Sequence, residues 1–315
     1  MPLFRELWSE EVVTPTGVVH FIERQPERAA MRAWVADVDG EVVGFANSRM
    51  RWAIQTEGVA GLWVGVLPAH RREGIGTGLF ELAADHIVAH GARRLESTYR
   101  AHEPEGAAFA GRLGFEETRR EQYWALDVES AALTRARAPD SVTVVRLRDV
   151  RDRERELFEL YDAAARDMPD DHVHAIPYED WLRETLGNPE LDLDLSAVVL
   201  ADDRPASLAW LISDREGQRA GNEMTGTAPE FRRRGLARLA KEATVRWAAE
   251  AGIRTILTSN DTTNADMLAL NEHLGYRPTV VRIVVAKELS APSGNAAPLL
   301  GREHQARART PTSEG

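Results

Sequence analysis

Apolar residues gather in two short runs near the start of the chain, Arg32–Val38 and Glu41–Arg51, separated by Asp39-Gly40. The runs predict two strands, and Asp-Gly accepts the left-handed backbone of a tight hairpin between them. A third run, about Glu57–Val66, reads as a strand that stops at Pro68, which has no N–H to donate. Helical periodicity follows from about Gly74 to His90 and ends at Gly91, a residue suited to a left-handed cap. Leu95–Thr98 (strand), Glu105–Leu113 (helix) and Tyr123–Val128 (strand) complete this half.

The same order returns in the second half. Val142–Leu147 reads as a strand, Arg151–Asp167 and Tyr178–Leu186 as helices, and Leu195–Ala201 and Ala206–Ser213 as a hairpin around Asp202-Asp203-Arg204. Arg219–Thr227 (strand), Arg234–Ala251 (helix), Thr255–Ser259 (strand), Asn264–Leu274 (helix) and Val280–Glu288 (strand) close it. The halves align without a gap at an offset of 161 residues, the spacing from Pro68 to Pro229. At that offset Arg71 meets Arg232, Gly74 meets Gly235, Gly91 meets Gly252, and Leu113-Gly114-Phe115 meets Leu274-Gly275-Tyr276. A repeat of about half the chain is a whole domain, not a solenoid unit. The expected organisation is therefore a first domain over 1–128, a linker over 129–140, a second domain over 141–288 and a disordered tail over 289–315. Shifting Val142–Leu147 back by the offset runs off the chain start, so the first domain is expected to lack its opening strand, either trimmed or lying upstream.

Composition narrows the classes. The 315 residues are 43% hydrophobic and 28% charged, the proportions of a globular chain. No apolar run is long enough to span a bilayer and no secretory leader is legible, so the chain is expected in the cytoplasm, away from membranes. The absence of cysteine excludes disulfides, thiolate metal sites and a covalent cysteine intermediate. A net charge of −11 argues against a nucleic-acid surface. Of 39 basic residues only Lys241 and Lys287 are lysines.

Candidate chemistry lies before each long helix. Val66-Leu67-Pro68-Ala69-His70-Arg71-Arg72-Glu73-Gly74-Ile75-Gly76-Thr77-Gly78 and Thr227-Ala228-Pro229-Glu230-Phe231-Arg232-Arg233-Arg234-Gly235-Leu236-Ala237 both fit Arg-x-x-Gly-x-Gly/Ala. The first N–H groups of a helix lack intrahelical partners and carry partial positive charge, so a small-residue turn there is a pyrophosphate cradle. A P-loop needs Lys-Ser or Lys-Thr after its last glycine, and a dinucleotide fingerprint needs a glycine where Leu79 stands; neither fits. Gly-x-Ser-x-Gly does not occur.

These two cradles, each with a downstream Leu-Gly-aromatic, resemble the GCN5-related N-acetyltransferase (GNAT) superfamily over roughly 1–128 and 142–288. The tandem layout is similar to mycothiol synthase-like proteins. The resemblance implies a mixed α/β fold of two tandem domains, each a mostly antiparallel sheet of six or seven strands flanked by helices. It implies an acyltransferase moving acetyl from acetyl-coenzyme A directly to a small primary amine, without a metal. The cradle residues Val66, Arg71, Arg72, Gly74, Ile75, Gly76 and Thr77, and Thr227, Ala228, Arg232, Arg233, Arg234, Gly235, Leu236 and Ala237, are then cofactor contacts, with Arg232, Arg233 and Arg234 facing the ribose phosphate. Backbone N–H groups around Thr227 and Ala228 would polarise the thioester, an effect worth about 2.7–4 kcal/mol per donor.

Glu223, on the strand before the second cradle, is placed as the base that deprotonates the amine; its bland alternative is a solvated strand carboxylate. The first half has Leu62 there, with Glu57 farther upstream. Many relatives carry a tyrosine acid where this chain has Asn271 and Ala110; Asn271 can bind a thiolate but has no acidic proton. Asn264 is either a pantetheine contact or an ordinary helix cap. These differences favour the second half as catalytic, with cofactor binding still open to the first. Asp170-Asp171-His172-Val173-His174 reads as a solvated loop rather than a metal cluster; Asp167, Asp170 and Asp171 could draw a cationic amine. Trp52, Trp63 and Trp210 read as core or domain contacts. A non-catalytic acyl-coenzyme A module and a peptide acetyltransferase are the rivals, and a monomer or homodimer is expected.

Overall fold

The computed structural model describes residues 2–54, 56–133, 141–166 and 176–289. In the first repeat, helices α1 (Pro2–Leu7) and α2 (Pro15–Glu23) precede strands β1 (Arg32–Val38), β2 (Glu41–Met50) and β3 (Val59–Val66). Helix α3 (Ile75–Ala89), strand β4 (Arg94–Arg100), helix α4 (Pro104–Arg112) and strand β5 (Glu116–Asp127) follow. The second repeat runs β6 (Val142–Arg146), α5 (Glu154–Ala165), α6 (Tyr178–Trp181), β7 (Ala197–Ala201), β8 (Arg204–Asp214) and β9 (Arg219–Thr227). It ends with α7 (Leu236–Glu250), β10 (Thr255–Asp261), α8 (Ala265–Leu274) and β11 (Arg277–Glu288). Helix α6 continues as a π-helical turn through Leu182–Leu186.

Asp39 and Gly40 both take positive φ (52° and 89°), as do Asp202 and Asp203 (49° and 60°), which is the twist a two-residue hairpin needs. Among the described residues no strand precedes β1, so β6 has no counterpart in the first repeat. The Asp167–His174 loop and the expected tail from residue 290 onward lie outside the described residues, while Leu289, expected in the tail, donates its N–H to Arg93 O at 2.7 Å.

All strands join in one 11-stranded sheet, ordered β1-β2-β3-β4-β11-β5-β10-β9-β8-β7-β6. The last strands of the two repeats are exchanged: β11 pairs with β4 and β5 pairs with β10, both antiparallel. The exchanged strands pair with each other at the centre. Strand β5 begins seven residues before the expected Tyr123. Its opening Glu116-Glu117-Thr118-Arg119-Arg120-Glu121 has no apolar alternation, yet it pairs with β10 and β11. Glu10 ties the exchange down: Arg100 of β4 and Arg282 of β11 both donate to its Oε1 at 2.9 Å. Burial raises the Glu10 carboxyl, but the Arg100 hydrogen bond and the Arg282 charge outweigh it and lower the pKa to about 2.

Helix α3 packs on β1–β3, with Leu79, Phe80, Ala83 and Ile87 buried. Helices α5 and α7 both pack on β8 and β9, and β8 is buried from Ala206 to Ile212, so the two helices cover opposite faces. Trp210 is buried there beside Trp181 and Tyr161, a core residue as expected.

Candidate active site

Each repeat opens a wedge in the sheet. Strands β3 and β4 pair in parallel only from Val59↔Arg94 to Gly61↔Glu96, and β9 and β10 only from Thr255↔Arg219 to Leu257↔Gly221. Beyond those pairs the strands diverge toward the two cradles.

The cradles have one geometry. Arg71 Nε donates to the Val66 carbonyl (3.1 Å), and Arg232 Nε to the Thr227 carbonyl (3.2 Å). Arg72 and Arg233 hold φ of 71° and 59°, and Gly74 and Gly235 hold 87° and 76°. Non-glycine residues left-handed at matching places store backbone strain, which turns successive N–H groups inward. Neither α3 nor α7 has a side-chain cap. A Cβ built on Gly74 or Gly235 meets nothing within 4 Å, so both turns have open space for a ligand. In the first repeat a cavity of about 210 Å³ runs from Val64–Val66 to Arg71, Arg72, Gly74, Gly76 and Thr77. Nest and wedge are thus continuous, and the residues present fit a pyrophosphate with an extended arm. Ile75 is the first residue of α3, beside the nest. In the second cradle Ala228 and Leu236 are buried, Ala237 is partly covered, and Arg233, Arg234 and Gly235 are exposed.

The Ala228 N–H, expected to polarise the thioester, donates instead to Ala206 O at 2.9 Å, as the ladder with β8 extends through it. Alternation along β9 then turns the Thr225 and Thr227 N–H groups toward the wedge.

Glu223 sits on a β-bulge. Trp210 opposes Met224 and Leu211 opposes Asn222, leaving Glu223 without a partner on β8. The matching stretch of β3 pairs with β2 in unbroken register, and Leu62 there is buried. A bulge re-aims a side chain, and Glu223 points into a cleft of about 460 Å³ shared with His20, Phe21, Arg49, Tyr161 and Glu190. The residue is exposed and also borders the wedge of β9 and β10. Enclosure by protein, then the Glu11 and Glu190 carboxylates, push its pKa up to about 7. Both repeats build this region: Thr14 hydrogen-bonds Glu190, whose carboxylate lies over Gly17 of α2. Trp52 also lines the cleft, under the Arg28 guanidinium at 4.2 Å. Trp63 stacks on Trp8 at 3.7 Å between ring centroids, and Glu57 is an exposed residue before β3.

A second cavity, about 240 Å³, lies in the wedge of β9 and β10, lined by Asn222, Glu223, Thr225, Thr258, Asn260 and Lys241. Asn264 lines it while its Oδ1 caps α8 by accepting from the Met267 N–H (3.2 Å), so the helix-cap reading holds and the side chain also borders the cavity. Asn271 is fully buried behind this cavity. Its Oδ1 accepts from Lys241 Nζ and its Nδ2 donates to Asn260 Oδ1, each at 2.7 Å. Sequence reasoning missed Lys241. Its signal was a lone lysine on a helix face whose counterpart at the repeat offset is Phe80. Among the described residues no cluster of His, Asp and Glu could hold a metal ion, and no helix is long and apolar enough to cross a membrane.

The acetyltransferase (GNAT) family model matches residues 1–115 and 155–276. Among solved structures, a GCN5-related N-acetyltransferase from Sphaerobacter thermophilus superposes with a TM-score of 0.68 at 18% identity, over 91% of this chain and 89% of that one. A tandem GNAT protein from the clavulanic acid biosynthesis pathway, solved without AcCoA, gives 0.68 at 19% identity, over 88% of each chain. No curated protein matches in sequence. With two matched regions, two cradles and two splayed wedges, this chain belongs to the GNAT acetyltransferase family.

Proposed function

We propose that the protein transfers acetyl from acetyl-coenzyme A to a primary amine of a small molecule, and that the second repeat performs the chemistry. The observation that carries this reading is Glu223, bulged out of β9 between the open cleft and the wedge, where the first repeat has buried Leu62. Bound acetyl-coenzyme A supplies the thioester, and the chain's residues do the rest. Glu223 takes the proton from the attacking nitrogen, a role suited to a carboxylate titrating near neutrality. The Thr225 and Thr227 N–H groups face the wedge where oxygen charge develops. The nest at Arg232–Ala237 receives phosphate, with Arg233 and Arg234 exposed beside it.

The first repeat has the cradle without the bulge or the carboxylate, which supports cofactor binding there without turnover. The test is coenzyme A release across a panel of small amines. Glu223→Gln should lower kcat/KM about 10²–10⁴-fold, the range of one general base. The acid limb of the wild-type pH–rate profile should report a group titrating near 7, because the base works only when deprotonated. A variant as active as wild type, with the same acid limb, would defeat the assignment.

A further inference from the structure

We propose that Lys241 is the proton donor to the departing thiolate in the second repeat, held in place by Asn271. The inference rests on the proposed function. Lys241 lines the wall of the β9–β10 wedge, in the same cavity as Glu223. A group entering between the strands therefore meets a carboxylate and an ammonium in one enclosed space.

The amide of Asn271 is fixed by its neighbours. Asn260 Oδ1 accepts from Asn271 Nδ2, so Asn271 Oδ1 must face Lys241, and one Nζ–H is held at 2.7 Å. The first repeat has none of this: Phe80, Ala110 and Tyr99 stand where the second has Lys241, Asn271 and Asn260, and Phe80 packs edge-on against Phe109 and Phe115. A buried ammonium thus appears only in the repeat that also has the bulged carboxylate. Burial brings the Lys241 pKa down to about 7, so the group can give a proton at neutral pH; an arginine could not. The titratable and charged groups that share its cavity are Glu223 of β9, Arg119 and Glu121 of β5 and Asp261 of β10, and burial alone sets its shift. The Tyr276 ring, 4.9 Å from Nζ, completes the set.

The step balances. The amine nitrogen bonds to the thioester carbon and its proton passes to Glu223. The C–S bond breaks, its electron pair stays on sulfur, and sulfur takes a proton from Lys241. One proton then passes from the Glu223 carboxyl to the Lys241 amine through solvent in the shared cavity, which restores both groups.

The test uses the full chain and free coenzyme A, with no acceptor. Carbon-13 lysine labelling gives two side-chain resonances, with Lys287 as the internal reference. Lys241 should titrate near 7 and move when coenzyme A is added. The thiol of coenzyme A bound in the second repeat of Lys241→Arg, followed by thiolate absorbance, should titrate at least about one pH unit below free coenzyme A, because arginine stays charged where the thiol ionises. In Lys241→Met no such shift should occur, and both variants should lose turnover. Should Lys241→Met not fold, Lys241→Phe with Asn271→Ala copies the packing of the first repeat and serves instead. Coenzyme A bound in the second repeat with the same thiol titration in Lys241→Arg and Lys241→Met would overturn the inference alone. No binding in the second repeat would overturn the proposed function as well.

Discussion

Lys241 and Asn271 set opposing energies at one place. A lysine whose pKa falls from about 10.5 to about 7 on folding costs roughly 5 kcal/mol below neutral pH, at about 1.4 kcal/mol per unit. Its hydrogen bond to buried Asn271 returns less, since leaving such an acceptor unmet costs about 1–3 kcal/mol. Lys241→Met should therefore be the more stable protein at pH 6. The sign follows from linkage: the unfolded chain binds the proton up to about 10.5 and the folded chain only to about 7, so wild-type stability rises with pH across that window. The gain in Tm should shrink between pH 7 and 10 and be gone above that range; a gain independent of pH would refute the buried-ammonium account. Glu223 belongs to the same scale. Its neighbour Gly221 leaves the carboxylate room, because a Cβ there would lie 3.0 Å from Glu223 Oε1.

At the scale of elements, the cradles were legible because their chemistry is local. Glycines with positive φ, a proline ending the strand and uncapped helix starts are all written within a dozen residues. Gly76 tests the first cradle without backbone strain: a Cβ there makes ordinary contacts, 3.6 Å to Val66 and 3.9 Å to Phe109, within the cavity. Gly76→Val should remove one bound acetyl-coenzyme A per chain by calorimetry while leaving Tm unchanged. Unaltered stoichiometry would show that this nest does not hold the cofactor. Other elements hid. Helices α1 and α2 are 6 and 9 residues long, too short for a periodic signal. Strand β5 was masked by its charged opening, and the bulge at Glu223 has no signature because it depends on how β8 meets β9.

For the whole molecule, the strand exchange has a mechanical consequence. The sheet of each repeat ends on a strand borrowed from the other, so neither half can satisfy its backbone groups alone. Thermal unfolding should be a single transition, with coenzyme A raising the one Tm. Fragments 1–133 and 141–289 should be insoluble apart and associate when expressed together. Two resolved transitions, or a soluble folded fragment 141–289, would contradict the exchange.

The sequence alone determined the repeat, its offset and the two nests, because glycine and proline restrict the backbone through their own covalent structure. It also named Glu223, since the repeats differ there by a carboxylate against an aliphatic side chain. Tertiary structure decided which strands become neighbours, that Ala228 is already bonded to Ala206, and that Lys241 reaches the cavity holding Glu223. Those outcomes depend on contacts between residues far apart in the chain, where burial and pairing outweigh any local preference.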